Sequence, residues 1–308
     1  MRYNIGVKCL FLYNPNSGRG KIARKLPYIR RRLGEVYSQV DIYATTSGED
    51  MEQRAREGAM QGYDLILFAG GDGTFNNVLQ GIEGSDTQLG YLPAGTANDV
   101  ARSLHIPRSV RGALNVVFEG KSAQLDCMRV NGSRYVVYVA ALGSFVSVTY
   151  ETSQKKKRAF GYLAYVFALA KKLFKMQTFS VKITCGEETH ELKSPLVLVM
   201  NGRRVGGFPA NRRASMQDGR AEIAVIRQEK KPNFFRNLGV CFAIASILLG
   251  GRKRSSKRVT LFRGERFFIS TDSASAWDFD GEKGVCGDVD IEVVPRHVKL
   301  FVPAGKKI

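Results

Sequence analysis

The chain has 308 residues, enough for roughly two domains, and its 44% hydrophobic and 24% charged side chains describe an ordinary globular protein with ample core. The formal net charge of +19 calls for an anionic partner: a membrane surface, a nucleic acid or a phosphorylated ligand. Five widely spaced cysteines without a C-x-x-C pair argue against a disulfide scaffold and for reduced cytosolic thiols, and three scattered histidines argue against a His-based zinc site.

Val7 to Tyr13 reads as a first strand, and its apolar run from Cys9 is too short for a secretory signal. The polar turn Asn14-Pro15-Asn16-Ser17-Gly18-Arg19-Gly20-Lys21 follows, rich in donors that suit a triphosphate but without the Walker A spacing. An exposed Asn-Pro turn explains the same residues. Ile22 to Leu33 has helical periodicity. Val40 to Ala44 alternates like a second strand, Thr45 to Gly48 supplies a turn and a helix cap, and Glu49 to Gln61 reads as a charged helix.

Tyr63 to Ala69 is the third strand, and it runs into Gly70-Gly71-Asp72-Gly73-Thr74-Phe75-Asn76-Asn77. The glycines permit a tight turn and close backbone approach. Thr74 or Asn76 is expected to cap the helix carrying Val78, Leu79 and Ile82. Strand, glycine turn and helix N-terminus together form an anion site. Asp72 in its middle requires a cation between carboxylate and phosphate, unless it serves only as a cap.

Gly90 to Gly95 is a fourth strand and turn, and Thr96 to about Leu104 begins another helix. Strand and helix thus alternate four times in the first hundred or so residues, the pattern of a doubly wound parallel sheet with ligand loops at its carboxyl edge. Beyond the helix Arg111 to Phe118 the texture becomes β-rich. Strands are expected at Ala123 to Arg129, Tyr135 to Leu142, Phe179 to Thr184, Leu192 to Met200, Ala221 to Ile226, Arg266 to Thr271 and Val289 to Val294. The expected division is an α/β domain over 1–125 and a β-sandwich over 126–296, with a last strand near 297–308 able to return to the first domain.

Two apolar segments interrupt the β-rich half. Phe160–Met176 follows the run Lys155-Lys156-Lys157-Arg158, and Phe234–Leu249 precedes Arg252-Lys253-Arg254-Ser255-Ser256-Lys257-Arg258. Neither reaches the ~20 residues needed to span a bilayer. Both suit an anionic interface, although core packing is the favoured expectation for the second. Asp278, Asp280 and Glu282 crowd the turn Trp277-Asp278-Phe279-Asp280-Gly281-Glu282. A hairpin explains Asp280-Gly281; as function, Glu282 is a candidate base for phosphoryl transfer to an alcohol. Asp218-Gly219 is a turn whose carboxylate could hold a cation.

Tyr13-Asn14-Pro15-Asn16-Ser17-Gly18, Gly70-Gly71-Asp72-Gly73-Thr74 with Asn76, Pro93-Ala94-Gly95-Thr96-Ala97-Asn98-Asp99 and Asp280-Gly281-Glu282 occur in that order. Together they resemble the diacylglycerol kinase catalytic family, most nearly its soluble bacterial members, with sphingosine and ceramide kinases as relatives. The resemblance covers essentially the whole chain. It implies an NAD kinase/phosphofructokinase-like α/β nucleotide-binding domain, a β-sandwich with inserted helices, and ATP-dependent transfer to a lipid hydroxyl. By this resemblance Asn14, Pro15, Asn16, Ser17, Gly18, Thr45, Gly71, Asp72, Gly73, Thr74, Phe75, Asn76, Asn77 and Thr96 contact ATP, with Arg19 near the phosphates. Asp72 orders the catalytic Mg²⁺, Asp126 joins an acidic network through water, and Glu282 is the general base. Asp218, with carbonyls near Ser215 and Arg220, holds a second, structural Mg²⁺; Arg220 stands where relatives often carry an aromatic.

The expected protein is therefore a cytoplasmic lipid kinase, peripheral at the inner membrane face, converting diacylglycerol to phosphatidate. A homodimer is compatible with the sequence. Rival readings are a kinase for another lipid (sphingoid, monoacylglycerol or undecaprenol-like), an NAD kinase-like enzyme, and a catalytically silent membrane- or nucleic-acid-binding module. No nucleic-acid motif supports the last, and the basic runs lack interleaved aromatics.

Overall fold

A computed structural model describes residues 4–143, 176–230, 233–249 and 258–306. The segment Phe160–Met176 up to residue 175, and the basic runs 155–158 and 252–257, lie outside the described residues. The chain divides into two compact units, one of Met1–Cys127, Met216–Asp218 and Val294–Ile308, the other of Met128–Ser215 and Gly219–Val293.

In the first unit the strands β1 (Asn4–Tyr13), β2 (Tyr37–Ala44), β3 (Leu65–Gly70) and β4 (Gln88–Pro93) pair in the order β2-β1-β3-β4, all parallel. Helices α1 (Lys21–Gly34), α2 (Gly48–Met60), α3 (Asp72–Gly81), α4 (Asp99–Ser103) and α5 (Val110–Glu119) make the connections. Parallel strands need such crossovers, and the helices cover both sheet faces. That is why all six residues of β3 are buried and apolar apart from its closing glycine. The Ser47 side chain caps α2 by accepting from the Asp50 amide at 3.1 Å, and Ser109 caps α5 through the Gly112 amide at 3.2 Å. Near the chain end, Leu300 stands in parallel register with Leu89 of β4, so the last apolar run extends this unit's sheet.

The second unit is a sandwich of two antiparallel layers. After β5 (Lys121–Val130) come β6 (Arg134–Val136), β7 (Val139–Gly143), β8 (Phe179–Cys185), β9 (Glu188–Ser194), β10 (Leu196–Met200) and β11 (Ala221–Ile226). Helix α6 (Phe234–Leu248) precedes β12 (Val259–Gly264), β13 (Arg266–Thr271), β14 (Ala276–Phe279), β15 (Glu282–Cys286) and β16 (Val289–Val302). One sheet runs β12-β11-β10-β7-β14-β15. Against it lie β9, β8, β13 and the opening residues of β16, where Ile269 faces Val289 and Ile183. Their inner faces share one core built on Val197, Val199, Ile223, Phe267, Trp277 and Phe279.

Four expected segments were divided or joined by tertiary contacts. Tyr135–Leu142 is not one strand, because the amides of Val137, Tyr138 and Val139 turn toward the Asp280 carboxylate. Leu192–Met200 breaks at Pro195, which lacks the N–H a ladder needs. Val289–Val294 and the last strand expected near 297–308 are one strand, β16, interrupted at Arg296 by a left-handed φ of 55°.

Candidate active site

In the first unit the strand order places β2 on one side of β1 and β3 on the other, so the chain reverses direction across the sheet between β1 and β3. Ligands of open α/β sheets bind at such a switch point, beyond the carboxyl ends of the strands. The turn after β1 is Asn14–Gly20 and the turn after β3 is Gly70–Gly71. The turn after β4 joins them: the amides of Ala94 and Gly95 both donate to the Gly70 carbonyl, at 2.7 and 3.2 Å. Glycine is required where these backbones touch. A Cβ on Gly95 would lie 2.4 Å from the Gly71 Cα, and one on Gly18 would lie 3.1 Å from the Ala94 carbonyl oxygen, at a residue whose φ is +59°. Thus three polar turns meet within one unit.

Helix α3 begins at Asp72, two residues before Thr74, with Gly71 as its extended N-cap. Thr74 and Asn76 therefore lie inside the helix and do not cap it. The reason is steric: Gly70 has no side chain, so Thr74 folds back over it, where a Cβ on Gly70 would meet Thr74 Oγ1 at 2.1 Å. Asp72 does cap a helix, but a different one. Its Oδ1 accepts the Val100 amide at 3.1 Å, at the start of α4. Asn98, left-handed at φ 51° and buried, closes the same turn by accepting from the Gly95 amide at 2.8 Å and donating to the Gly95 carbonyl at 2.9 Å. Burial raises the Asp72 carboxyl above the usual aspartate value, opposed by the amides of Val100, Asp99, Asn98 and its own residue. A half-compensated buried carboxylate of this kind gains from a nearby cation.

The other residues expected at the nucleotide divide by exposure. Asn16, Gly18 and Thr96 are exposed, and Asn14, Pro15, Ser17, Gly71, Gly73, Thr74 and Asn77 are partly so. Gly73 and Thr74 occupy the first turn of α3, where amides have no intrahelical acceptor. Asn14 Oδ1 accepts the Asn16 amide at 2.8 Å, which sets the turn. Thr45, Phe75 and Asn76 are buried. Thr45 lies against the Tyr13 carbonyl, with its amide at 2.9 Å and its hydroxyl at 3.4 Å. Phe75 packs edge-on to Phe68 and Tyr91 at 5.2 and 5.4 Å, so its ring is core and only its backbone lines the turn. Asn76 Oδ1 accepts from Gln80 Nε2 at 3.1 Å. Arg19 sits in the short 3-10 turn Ser17–Gly20. Arg108 is a residue that sequence reasoning missed: its guanidinium reaches the carbonyls of Gly95 and Thr96 at 3.4 and 3.3 Å. No motif marks it, because it acts from the next connection.

Asp126 is 1% exposed and accepts the Arg296 amide at 2.9 Å. Its own amide donates to the Met216 carbonyl at 2.6 Å, so it ties three stretches of the first unit together.

In the second unit Asp280 and Gly281 form the two-residue turn of the β14–β15 hairpin, both at positive φ (56° and 94°). Asp278 Oδ1 accepts the Gly281 amide at 2.7 Å. The buried Asp280 carboxylate accepts the amides of Val137, Tyr138 and Val139 at 2.6, 3.0 and 3.0 Å. Of the three carboxylates, then, Asp278 and Asp280 build the turn, and Glu282 is the one projected from it. Glu282 Oε2 lies 3.0 Å from Arg134 Nη2, with the pair about 40% exposed. Arg134 also lies over the Phe279 ring, 5.8 Å from its centre. Sequence reading missed Arg134, which comes 148 residues earlier in the chain.

Among the described residues no group of three or more His, Cys, Asp or Glu side chains could hold a metal ion. A single buried carboxylate such as Asp72 fits a magnesium ion that arrives with phosphate oxygens and keeps several waters; it does not fit a cation held by protein alone. Asp218 ends the short stretch counted with the first unit, Ser215 and Arg220 belong to the second, and Arg220 pairs with Glu265 at 3.6 Å.

Residues 8–130 match the family model described as the diacylglycerol kinase catalytic domain, and residues 138–302 match the YegS C-terminal NAD kinase beta sandwich-like domain. A Bacillus subtilis (strain 168) protein named diacylglycerol kinase is 28% identical over 299 residues, 96% of each chain. A Staphylococcus aureus (strain MRSA252) protein of the same name is 29% identical over 295 residues, 95% of this chain and 91% of its own. Two solved structures from Bacillus anthracis str. Sterne superpose with TM-scores of 0.81 and 0.75 at 23% and 22% identity, covering 96% of this chain and 97% of theirs. At that identity they show a shared fold.

Proposed function

Because the chain belongs to the diacylglycerol kinase family and is an ATP-dependent lipid kinase, we propose that it moves the γ-phosphoryl group of ATP to the free hydroxyl of diacylglycerol, giving phosphatidate and ADP. The observation that carries the nucleotide half is the meeting of three glycine turns at the switch point of a parallel sheet, around the carboxylate of Asp72. The acceptor is proposed from the names of the relatives that the chain matches over nearly its whole length.

In this reading the Asn14–Gly18 turn with Arg19, the Gly71–Asn77 turn, and Thr96 hold ATP. Backbone amides at the start of α3 and the dipole of that helix stabilise phosphate oxygens. Thr45 and Phe75 act from behind, as packing that fixes the turns. Mg²⁺ is proposed beside Asp72, where it would neutralise charge on the β- and γ-phosphates. Asp218 is proposed as ligand of a second magnesium ion, whose coordination main-chain carbonyls near Ser215 and Arg220 and waters would complete. Asp126 orders the chain through the Arg296 and Met216 main chain. Glu282 accepts the proton of the lipid hydroxyl as its oxygen bonds to the γ-phosphorus and the bond to ADP breaks. Arg134 keeps that carboxylate turned outward from the hairpin. Positioning and charge neutralisation supply most of the rate.

The enzyme works at an anionic membrane face, to which the +19 charge draws it. Among the described residues no helix is long and apolar enough to cross a membrane.

The test is incubation with γ-labelled ATP and a panel of diacylglycerol, monoacylglycerol, ceramide, sphingosine, undecaprenol, phosphatidylglycerol and NAD. Label in phosphatidate supports the reading. Label in another lipid only, or in NAD, overturns the acceptor.

A further inference from the structure

Helix α6 is apolar almost all round, and such a helix is ordinarily buried. This one is not. Its buried residues are Asn237, Val240 and Ile244, at 3%, 0% and 7% exposure, and they form one stripe. On the opposite side Phe235, Phe242 and Leu249 are 80%, 69% and 60% exposed. Those three recur every seven residues, which on a helix of 3.6 residues per turn keeps them in a nearly straight row about 21 Å long. Ala245 and Ser246 beside the row are exposed as well, and no charged side chain interrupts it.

The buried stripe is fully used. The helix lies against β11, its N-terminus is capped by Asn233 accepting the Arg236 amide at 2.9 Å, and Asn237 accepts from Gln228 Nε2 at 3.1 Å. The helix is thus anchored by its narrow polar-apolar side and presents its larger apolar side outward. The expectation of core packing holds for one stripe only, because the sandwich core already closes between its sheets without α6.

We propose that the row Phe235–Phe242–Leu249 is the surface by which this protein docks on a phospholipid bilayer with anionic headgroups. Charge decides the occupant. From Lys230 to Gly264 the sequence carries nine lysines and arginines and not one carboxylate. Of these cations Arg236 lies on the helix itself, and the Arg258 guanidinium lies against Gly239, within 2.7 Å of where a Cβ would stand; from outside that stretch the Arg212 guanidinium donates to the Leu249 carbonyl at 3.2 Å. A second copy seated on this row by two-fold symmetry would bring the same cations face to face. An anionic bilayer accepts the apolar row in its interface and the cations among its headgroups. The docking surface rests on the lipid kinase reading only in that a membrane is where the substrate resides.

Vesicle sedimentation tests it, using phosphatidylcholine vesicles with and without phosphatidylglycerol. The double variant Phe235→Ser/Phe242→Ser should lose about tenfold or more in partitioning onto the anionic vesicles, with an unchanged melting midpoint. Phe242→Leu should retain most of it, and Met60→Ser, an 82% exposed residue on α2, should change nothing. Retained binding in the double variant overturns the proposal. So does a dimeric wild type that the double variant converts to monomer while vesicle binding stays constant, since a second copy then covers the row. If wild-type protein labels no lipid yet its sedimentation still depends on Phe235 and Phe242, the docking surface stands and the kinase reading falls.

Discussion

Replacing Gly95 by alanine is the most direct probe of the nucleotide turns. The new Cβ would stand 2.4 Å from the Gly71 Cα and 2.7 Å from Asn98 Oδ1. Carbon atoms settle near 3.5–4.0 Å, so the two turns must part by about 1 Å. Neither can yield by rotating a side chain, since the obstructing atom is main chain. Gly71 is also the N-cap of α3, so the shift passes into the first turn of that helix. Overpacking of this kind costs about 1–3 kcal/mol of stability, and a 1 Å displacement of positioning groups costs about 10²-fold in rate. Gly71→Ala provides the internal control: its Cβ would meet the Gly95 Cα at 3.2 Å, a conflict relieved by a few tenths of an ångström. Calorimetric titration with a non-hydrolysable ATP analogue, initial rates and melting curves on both variants would rank them. Gly95→Ala should lose most of its analogue affinity and rate, and Gly71→Ala much less. Wild-type affinity and rate in Gly95→Ala, or the reverse ranking, would refute the argument that these turns form one phosphate cradle.

Glu282→Gln should lower kcat by roughly 10²–10⁴-fold while leaving ATP affinity unchanged; near-normal turnover removes Glu282 as the base. Asp280→Ala strips three buried amides of their acceptor, and at about 1–3 kcal/mol for each orphaned group the denaturant midpoint should fall sharply, with Asp280→Asn in between. The Asp72 carboxyl is raised by burial, so its favourable contribution is complete below the ordinary aspartate value and is lost as pH rises through the folded value. Asp72→Asn should therefore gain stability relative to wild type as pH rises above the ordinary aspartate value in nucleotide-free protein, while losing activity; a difference that is flat or falling with pH contradicts this. Alkylation followed by mass spectrometry should modify exposed Cys286 and spare Cys9, whose thiol burial pushes up to about 12.

Legibility followed the range of the forces involved. Leu65–Ala69 and, from Cys9 on, the first strand to Tyr13 read as strands from sequence because parallel strands covered on both faces are continuously apolar. By contrast β12, β14 and β15 escaped detection: β15 (Glu282–Cys286) is a partly exposed edge with no alternation to follow, and Trp277-Asp278-Phe279 reads as turn until its partner strand is known. The Gly70–Thr74 turn was visible, but the start of α3 was placed late, since a clash between Thr74 and an absent Cβ at Gly70 is a spatial fact. Thr45 and Phe75 belong to the motif-bearing loops, and only the fold shows that both are buried, Thr45 against the Tyr13 carbonyl and the Phe75 ring against Phe68 and Tyr91. Arg108 and Arg134 have no local signature, and only folding brings them to Thr96 and Glu282.

By itself the sequence determined the alternation that makes a parallel sheet, the glycines that let turns approach one another, and the carboxylates available for chemistry. These are properties of residue type and spacing, set by backbone sterics and hydrophobic periodicity over a few residues. Only the tertiary structure decided which carboxylate does what. Asp72 caps α4 across the turn, Asp278 and Asp280 hold a hairpin and a bend, Asp126 binds main chain, and Glu282 is projected beside a guanidinium. It also decided which side of α6 faces solvent, because a helix apolar on all sides has no preferred burial until its neighbours fill one.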